Sequence, residues 1–210
     1  MEYRFQDILK NLIPGFVIIG GVYLLNIYYN ENGMFVFGKI LENSSKDVLI
    51  LLLPIFFYIV GYVNDIFSSF IEYRLYYYRL FKRPSMLLLN NKMKRYRLMN
   101  LSKINERYPS SNQYYDEEKS YHIFKIANQN RSGCVDNLNE FYMSYVFARN
   151  IMCSMFILLG IAIVLGKFYN ENDISILKAV LVIILFLVLF IYRWRQKAIY
   201  YSIKILSTIS

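Results

Sequence analysis

Four long apolar stretches, 12–29, 48–63, 151–165 and 174–192, leave this chain few ways to fold. Apolar runs of roughly 17–25 residues are long enough to cross the hydrocarbon core of a bilayer as helices. Backbone in lipid must satisfy its own hydrogen bonds, which selects the helical form. The second and third stretches are short for a span, but each continues on one side as helix-compatible sequence. The chain of 210 residues is 56% hydrophobic and 18% aromatic, more than an ordinary soluble domain carries. The expected fold is all-α: a four-span helical integral membrane protein with a small, mainly helical cytosolic domain between spans 2 and 3. The organisation that follows is 1–83 (an amphipathic N-terminal segment, spans 1 and 2 and a helical extension), 84–131 (the small basic cytosolic domain) and 132–210 (a second extension, spans 3 and 4 and a basic C-terminal tail).

Charge placement predicts the orientation. The formal charge is +9, and it is unevenly spread. The segments 30–47 and 166–173 hold few basic residues, each offset by acids. The segment between spans 2 and 3 holds thirteen, from Arg74 to Arg131, and the tail adds Arg193, Arg195, Lys197 and Lys204 with no acid. Basic residues near span ends mark the cytoplasmic side. The expectation is a multi-pass protein of the cell inner membrane with both termini and the central segment cytoplasmic and both short loops outside. Glu2 and Asp7 before the first apolar run, and the lack of a small-residue cleavage site, argue against a removable signal. Tyr28, Tyr29, Tyr169, Tyr192 and Trp194 fall at span ends, where amphipathic rings prefer to sit. Lys178 lies one turn inside the fourth span, close enough to its end to reach the headgroups.

Local patterns refine this. Residues 1–11 read as a short amphipathic helix on the inner membrane surface, with Pro14 in the first turn of span 1. Gly15, Gly20 and Gly21 allow another helix to approach closely. No helix breaker separates Ile55 from Arg83, so a helix over 48–83 is expected, roughly 54 Å long at 1.5 Å per residue, ended by Pro84. Ser85 reads as the cap of a helix whose Leu89, Met93 and Tyr96 share a stripe. Residues 108–115 read as a loop and 116–130 as a helix with an acidic start. Ser132 or Asp136 reads as the cap of a helix entering span 3, so two helical extensions can form a stalk below the membrane. The tail reads as amphipathic, Ile199, Ile203 and Leu206 opposing Arg195 and Lys204, and suited to the inner leaflet.

Catalytic chemistry finds little support. There is no phosphate loop, dinucleotide fingerprint, zinc-protease motif or nucleophile elbow. His122 is the single histidine, and the ordinary reading is a packed or surface residue. Cys134 and Cys153 fit neither a disulfide scaffold nor a metal site. The expectation is a protein that is not an enzyme and needs no cofactor or metal. Polar residues beside the spans carry more information, because ionisable groups at membrane depth are paired or functional. Asn64 and Asp65 follow span 2, and Arg149 and Asn150 precede span 3. Since those spans run in opposite directions, Asp65 and Arg149 share a depth at the inner boundary. Two readings stand: an ion pair, or two charges each facing water or headgroups. Asn26 is the one strongly polar residue well inside a run, suited to a pore lining or to helix–helix bonding. Asn26, Asn64, Asp65 and Arg149 are the candidate pore or gating residues. Asp65, Glu72 and Arg79 share a helical face, as do Glu140 and Ser144. Lys92, Lys94, Arg95 and Arg97, interleaved with Tyr96, form the densest basic cluster. Such a cluster binds anionic lipid, serves solubility alone, or holds phosphates while the ring stacks on a base.

The landmarks LIPG at 12–15, YIVGYVND at 58–65 and FARN at 147–150 resemble those of the HalA-type membrane effectors of bacterial Hailong anti-phage defence systems. The resemblance implies a homo-oligomeric channel, controlled by an oligonucleotide or cyclic-nucleotide signal from a partner nucleotidyltransferase, whose opening disrupts the membrane of an infected cell. It supplies no ligand-binding motif, so Lys92, Lys94, Arg95, Tyr96 and Arg97 are assigned to the ligand from charge alone. The alternative is a non-catalytic membrane anchor or scaffold that recruits a cytosolic partner.

Overall fold

The computed structural model describes residues 2–29, 46–77, 81–92, 101–109, 115–129, 135–169 and 172–208. Among them are seven helices and no strand: α1 (Glu2–Tyr29), α2 (Lys46–Tyr77), α3 (Pro84–Leu89), α4 (Leu101–Arg107), α5 (Glu117–Gln129), α6 (Val135–Phe168) and α7 (Asp173–Leu206). The four apolar stretches lie in α1, α2, α6 and α7, each long and apolar enough to cross a membrane. The chain divides into two compact units, Met1–Ile71 with Val146–Arg193, and Glu72–Tyr145 with Trp194–Ser210.

The first unit is inside-out by the standard of a water-soluble protein. Asn26, Asn64, Ser68, Asn150 and Ser154 are buried to 1% exposure or less. Leu181, Val182, Leu185, Val188 and Leu189 of α7 and Ile55, Ile59, Tyr62, Ile66 and Phe67 of α2 are exposed. Its apolar core joins α1, α6 and α7 through Leu25, Tyr29, Leu158 and Ala162, with Ile176, Ala179 and Ile183 packed against them. The contact between α1 and α2 is made by glycines. A Cβ on Gly15 would meet the Phe57 carbonyl oxygen and lie 2.9 Å from Gly61 N, and one on Gly61 would meet the Asn11 carbonyl. Helices in lipid gain by such backbone approach, since exchanging lipid for aliphatic side chain contributes little. Gly21 is filled by Leu158, whereas Gly20 faces open space, so two of the three glycines expected at helix contacts are used.

The second unit has an ordinary apolar core. Leu88 and Leu89 of α3, Ile104 of α4, Ile123 and Ala127 of α5, Leu138 of α6 and Ile199, Tyr201, Ile205 and Leu206 of α7 pack together with Tyr115. Asn90 anchors it, its Nδ2 donating to Tyr115 O (2.7 Å) and Met86 O (2.8 Å) and its Oδ1 accepting from Tyr115 N (2.7 Å). Tyr115 is itself buried, its hydroxyl 2.8 Å from Asn105 Oδ1 and Tyr108 O, and burial pushes that hydroxyl above its ordinary pKa. Asp116 caps α5 by accepting from Lys119 N at 2.7 Å, as the acidic start of that segment suggests.

Several expectations are corrected. There is no separate surface helix at 1–11: α1 runs unbroken through Pro14, and Asn11 is buried. The helix expected over 48–83 ends at Tyr77, and 81–83 are not helical. Arg83 has φ −60° and ψ 138°, the extended form that a following proline imposes. Pro84 therefore opens α3 with Arg83, not Ser85, at the cap position, and Ser85 is buried. Helix α3 stops at Leu89, and Asn91 turns the chain with φ 51°, a conformation asparagine tolerates. Met93, Tyr96, Arg79 and Ser132 lie outside the described residues. Asp136 falls inside the first turn of α6.

The tail is not a separate leaflet helix. It is the last part of α7, and Trp194, Ala198, Ile199, Ile205 and Leu206 are buried, Ile199, Ile205 and Leu206 in the core of the second unit. That unit is accordingly wider than the segment 84–131. Trp194 is accordingly enclosed, 5.8 Å from the Tyr76 ring and 6.0 Å from Phe81, rather than in an interfacial belt. Tyr29 is also buried, while Tyr28 and Tyr192 are exposed as a belt requires.

Gly61→Leu should lower stability in detergent by about 1–3 kcal/mol, the range for overpacking. Gly20→Ala should be neutral or slightly stabilising, by up to about 1 kcal/mol of helix propensity. Thermal unfolding of the two variants beside the parent checks both, and an equal effect would remove the glycine contact.

Candidate polar cluster

Polar side chains of α1, α2 and α6 converge in the first unit, and a proline sets the arrangement. Pro14 carries no N–H, so the helix supplies none to the carbonyl four residues earlier. That carbonyl, of Lys10, accepts from Asn150 Nδ2 at 3.3 Å. The other end of the same carboxamide, Asn150 Oδ1, accepts from Ser68 Oγ at 2.7 Å. The Asn150 backbone carbonyl accepts from Asn64 Nδ2 at 2.9 Å and from Ser154 Oγ at 3.0 Å. One residue of α6 thereby bonds to α1 and α2 together. Ser154 Oγ also lies 3.4 Å from Pro14 O.

Asp65 and Arg149 stand beside this hub. Arg149 Nη2 lies 2.6 Å from Asp65 Oδ1, with side chains 11% and 27% exposed. Of the two readings open from sequence, the ion pair is the one found. An arginine this enclosed requires such a partner. Asn11 completes the surroundings, 3% exposed, with its Oδ1 lacking a hydrogen-bond partner among the described residues, as does Asn64 Oδ1.

Asn26 lies apart from this cluster. Its Oδ1 accepts from the Tyr169 hydroxyl at 2.7 Å, and the residue is wholly buried. The helix-bonding role is therefore the one it fills. The pore or gating candidates thus divide: Asn64, Asp65 and Arg149 come together, and Asn26 joins α1 to the end of α6. Sequence reasoning left out Ser68, Ser154 and Asn11 and gave Asn150 no role. The available signal was a serine or asparagine on the same helical face as Asn64 or Asn150, since residues three or four apart are neighbours. Glu72 accepts from the Tyr145 hydroxyl, and Glu140 is exposed.

Of the ligand candidates, Lys92 is exposed just past α3, its N–H bonding Leu87 O at 3.0 Å. Lys94, Arg95, Tyr96 and Arg97 lie outside the described residues. His122 is exposed, and no metal-binding group of His, Cys, Asp or Glu occurs among the described residues. Comparison of the chain with family models, with curated proteins and with solved structures finds no match.

Asp65→Asn and Arg149→Gln should each destabilise the protein by about 1–3 kcal/mol, less than a fully buried pair because water reaches Asp65. The double variant should lose less than the sum. Thermal unfolding of the four-member cycle reads the coupling, and strict additivity would remove the pair. Asn150→Leu should cost more than either, since it leaves Ser68 and the Lys10 carbonyl to compete for new partners.

Proposed function

We propose that this chain is a four-span membrane protein of the inner membrane, with both termini and 84–131 in the cytoplasm, and that several copies form a pore opened or closed by a nucleotide-type ligand. The observation that carries the membrane reading is the inside-out first unit. Five polar residues are buried in it while many aliphatic side chains are exposed, a distribution that hydrocarbon surroundings favour. The pore reading draws on the enclosed Asp65–Arg149 pair, because charges near membrane depth mark ion pathways and gates. The resemblance in LIPG, YIVGYVND and FARN supports the defence role: the Asp65 end of YIVGYVND and the Arg149 end of FARN are the two partners. In this reading the protein performs no chemistry. The signal binds the basic segment Lys92–Arg97 and shifts the pore by binding its two states unequally.

The enclosure of Asn64, Ser68 and Asn150 favours a second reading, a non-conducting membrane anchor whose polar hub is structural. Ion flux through liposomes separates the two. Purified protein should conduct, and candidate cyclic and linear oligonucleotides should change the flux. A protein that is inserted and silent under every ligand would be the anchor. Replacing Lys92, Lys94, Arg95 and Arg97 by glutamine should abolish the ligand response while leaving insertion intact, and binding by the parent should weaken as salt rises. For the topology, single cysteines at 40 and 170 should label from outside intact cells and one at 110 should not, on a background without Cys134 and Cys153. Labelling at 110 would reverse the orientation.

A further inference from the structure

The second unit holds a concentration of cations that neither its core nor the proposed ligand segment uses. Arg195 of α7 donates from Nη1 to the Tyr76 hydroxyl at 3.4 Å and from Nη2 to the Lys82 carbonyl. Its guanidinium carbon is 5.9 Å from the Tyr76 ring centre and 5.7 Å from that of Phe81. Arg83 approaches the same tyrosine, 5.6 Å from the Tyr76 ring centre, and lies 4.3 Å over Tyr121. Tyr76 is 7% exposed and Trp194 wholly buried against it, so the ring that both arginines touch is a fixed platform. Lys82, next to Arg83 in the chain, is exposed.

Charge around this platform is unbalanced. Glu117 engages Arg83, Oε1 to Nε, at 3.1 Å. Glu72, one turn before Tyr76 on α2, accepts from the Tyr145 hydroxyl. Among the described residues no carboxylate bonds Arg195 or Lys82. Like charges held close disfavour one another, and a guanidinium with two contacts keeps further N–H donors for an anion. Arginine matches phosphate oxygens, and lysine adds a point charge.

We propose that Lys82, Arg83 and Arg195 bind the phosphate of an anionic phospholipid headgroup. The inference rests on the membrane reading above. The reason to choose a lipid is the place of these cations in the chain: Arg195 stands three residues past the apolar stretch 174–192, and cations directly beside a membrane span attract anionic headgroups. The site ties α7 and the Phe81–Arg83 connection to one lipid.

Thermal unfolding of the full-length protein in a neutral detergent, titrated with phosphatidylglycerol, phosphatidylcholine or inorganic phosphate, tests this. Phosphatidylglycerol should stabilise and phosphatidylcholine should not. Lys82→Gln, at an exposed position, should require about five-fold more phosphatidylglycerol for the same stabilisation, the worth of one cation near anionic lipid. Arg195→Gln should lose more, and Lys103→Gln, exposed on α4, should match the parent. An undiminished preference for phosphatidylglycerol in both Lys82→Gln and Arg195→Gln would overturn the site. Equal stabilisation by inorganic phosphate, lost in the same variants, would overturn the lipid source and leave a site for soluble phosphate. The membrane reading is checked separately: protein released from cell membranes by alkaline carbonate would fail that reading, whatever the detergent titration gives.

Discussion

The carboxamide of Asn150 is the contact on which the first unit most depends. It is wholly buried, and it joins the Lys10 carbonyl of α1 to the Ser68 hydroxyl of α2. Both ends of a carboxamide need partners when water is excluded, and an unmet buried donor or acceptor costs about 1–3 kcal/mol. Aliphatic side chains contribute little to helix association in hydrocarbon, because lipid tails solvate them equally well. Specificity then falls to directional bonds and to close backbone contact. The structure uses both, with the Asn150 hub on one side of α1 and α2 and the Gly15–Gly61 approach beside it. Pro14 makes the two compatible by withholding the N–H that would otherwise occupy Lys10 O.

Helices α2, α6 and α7 each cross the division between the two compact units, and their residues change character there. On α7 the stretch from Leu181 to Leu189 exposes aliphatic side chains, whereas Trp194, Ala198, Ile199, Ile205 and Leu206 are buried. The first part exposes its apolar side chains and the second buries them. The second unit shows the usual order of a soluble domain, with His122, Lys103, Lys125 and Glu118 outside and Leu88, Ile104 and Ile123 inside.

The sequence by itself determined the helical class and the four helices able to span a bilayer, because length and unbroken apolar character need no partner to be read. It placed Asp65 and Arg149 at one depth, because antiparallel helices keep register, and it anticipated α5 from its acidic start. It misplaced Pro14, the end of α2, the start of α3 and the role of the tail, because each depends on what packs nearby. Phe81 lies outside the helix and against Trp194, and the tail packs with α3, α4 and α5. Only the tertiary structure decided that Asn26 bonds Tyr169, that Ser68 and Asn150 bond each other, and that Arg83 and Arg195 gather on Tyr76. Asn26 and Tyr169, Ser68 and Asn150, and Tyr76 and Arg195 are 143, 82 and 119 residues apart in the chain, and no local pattern records which of many polar residues will meet once the helices pack.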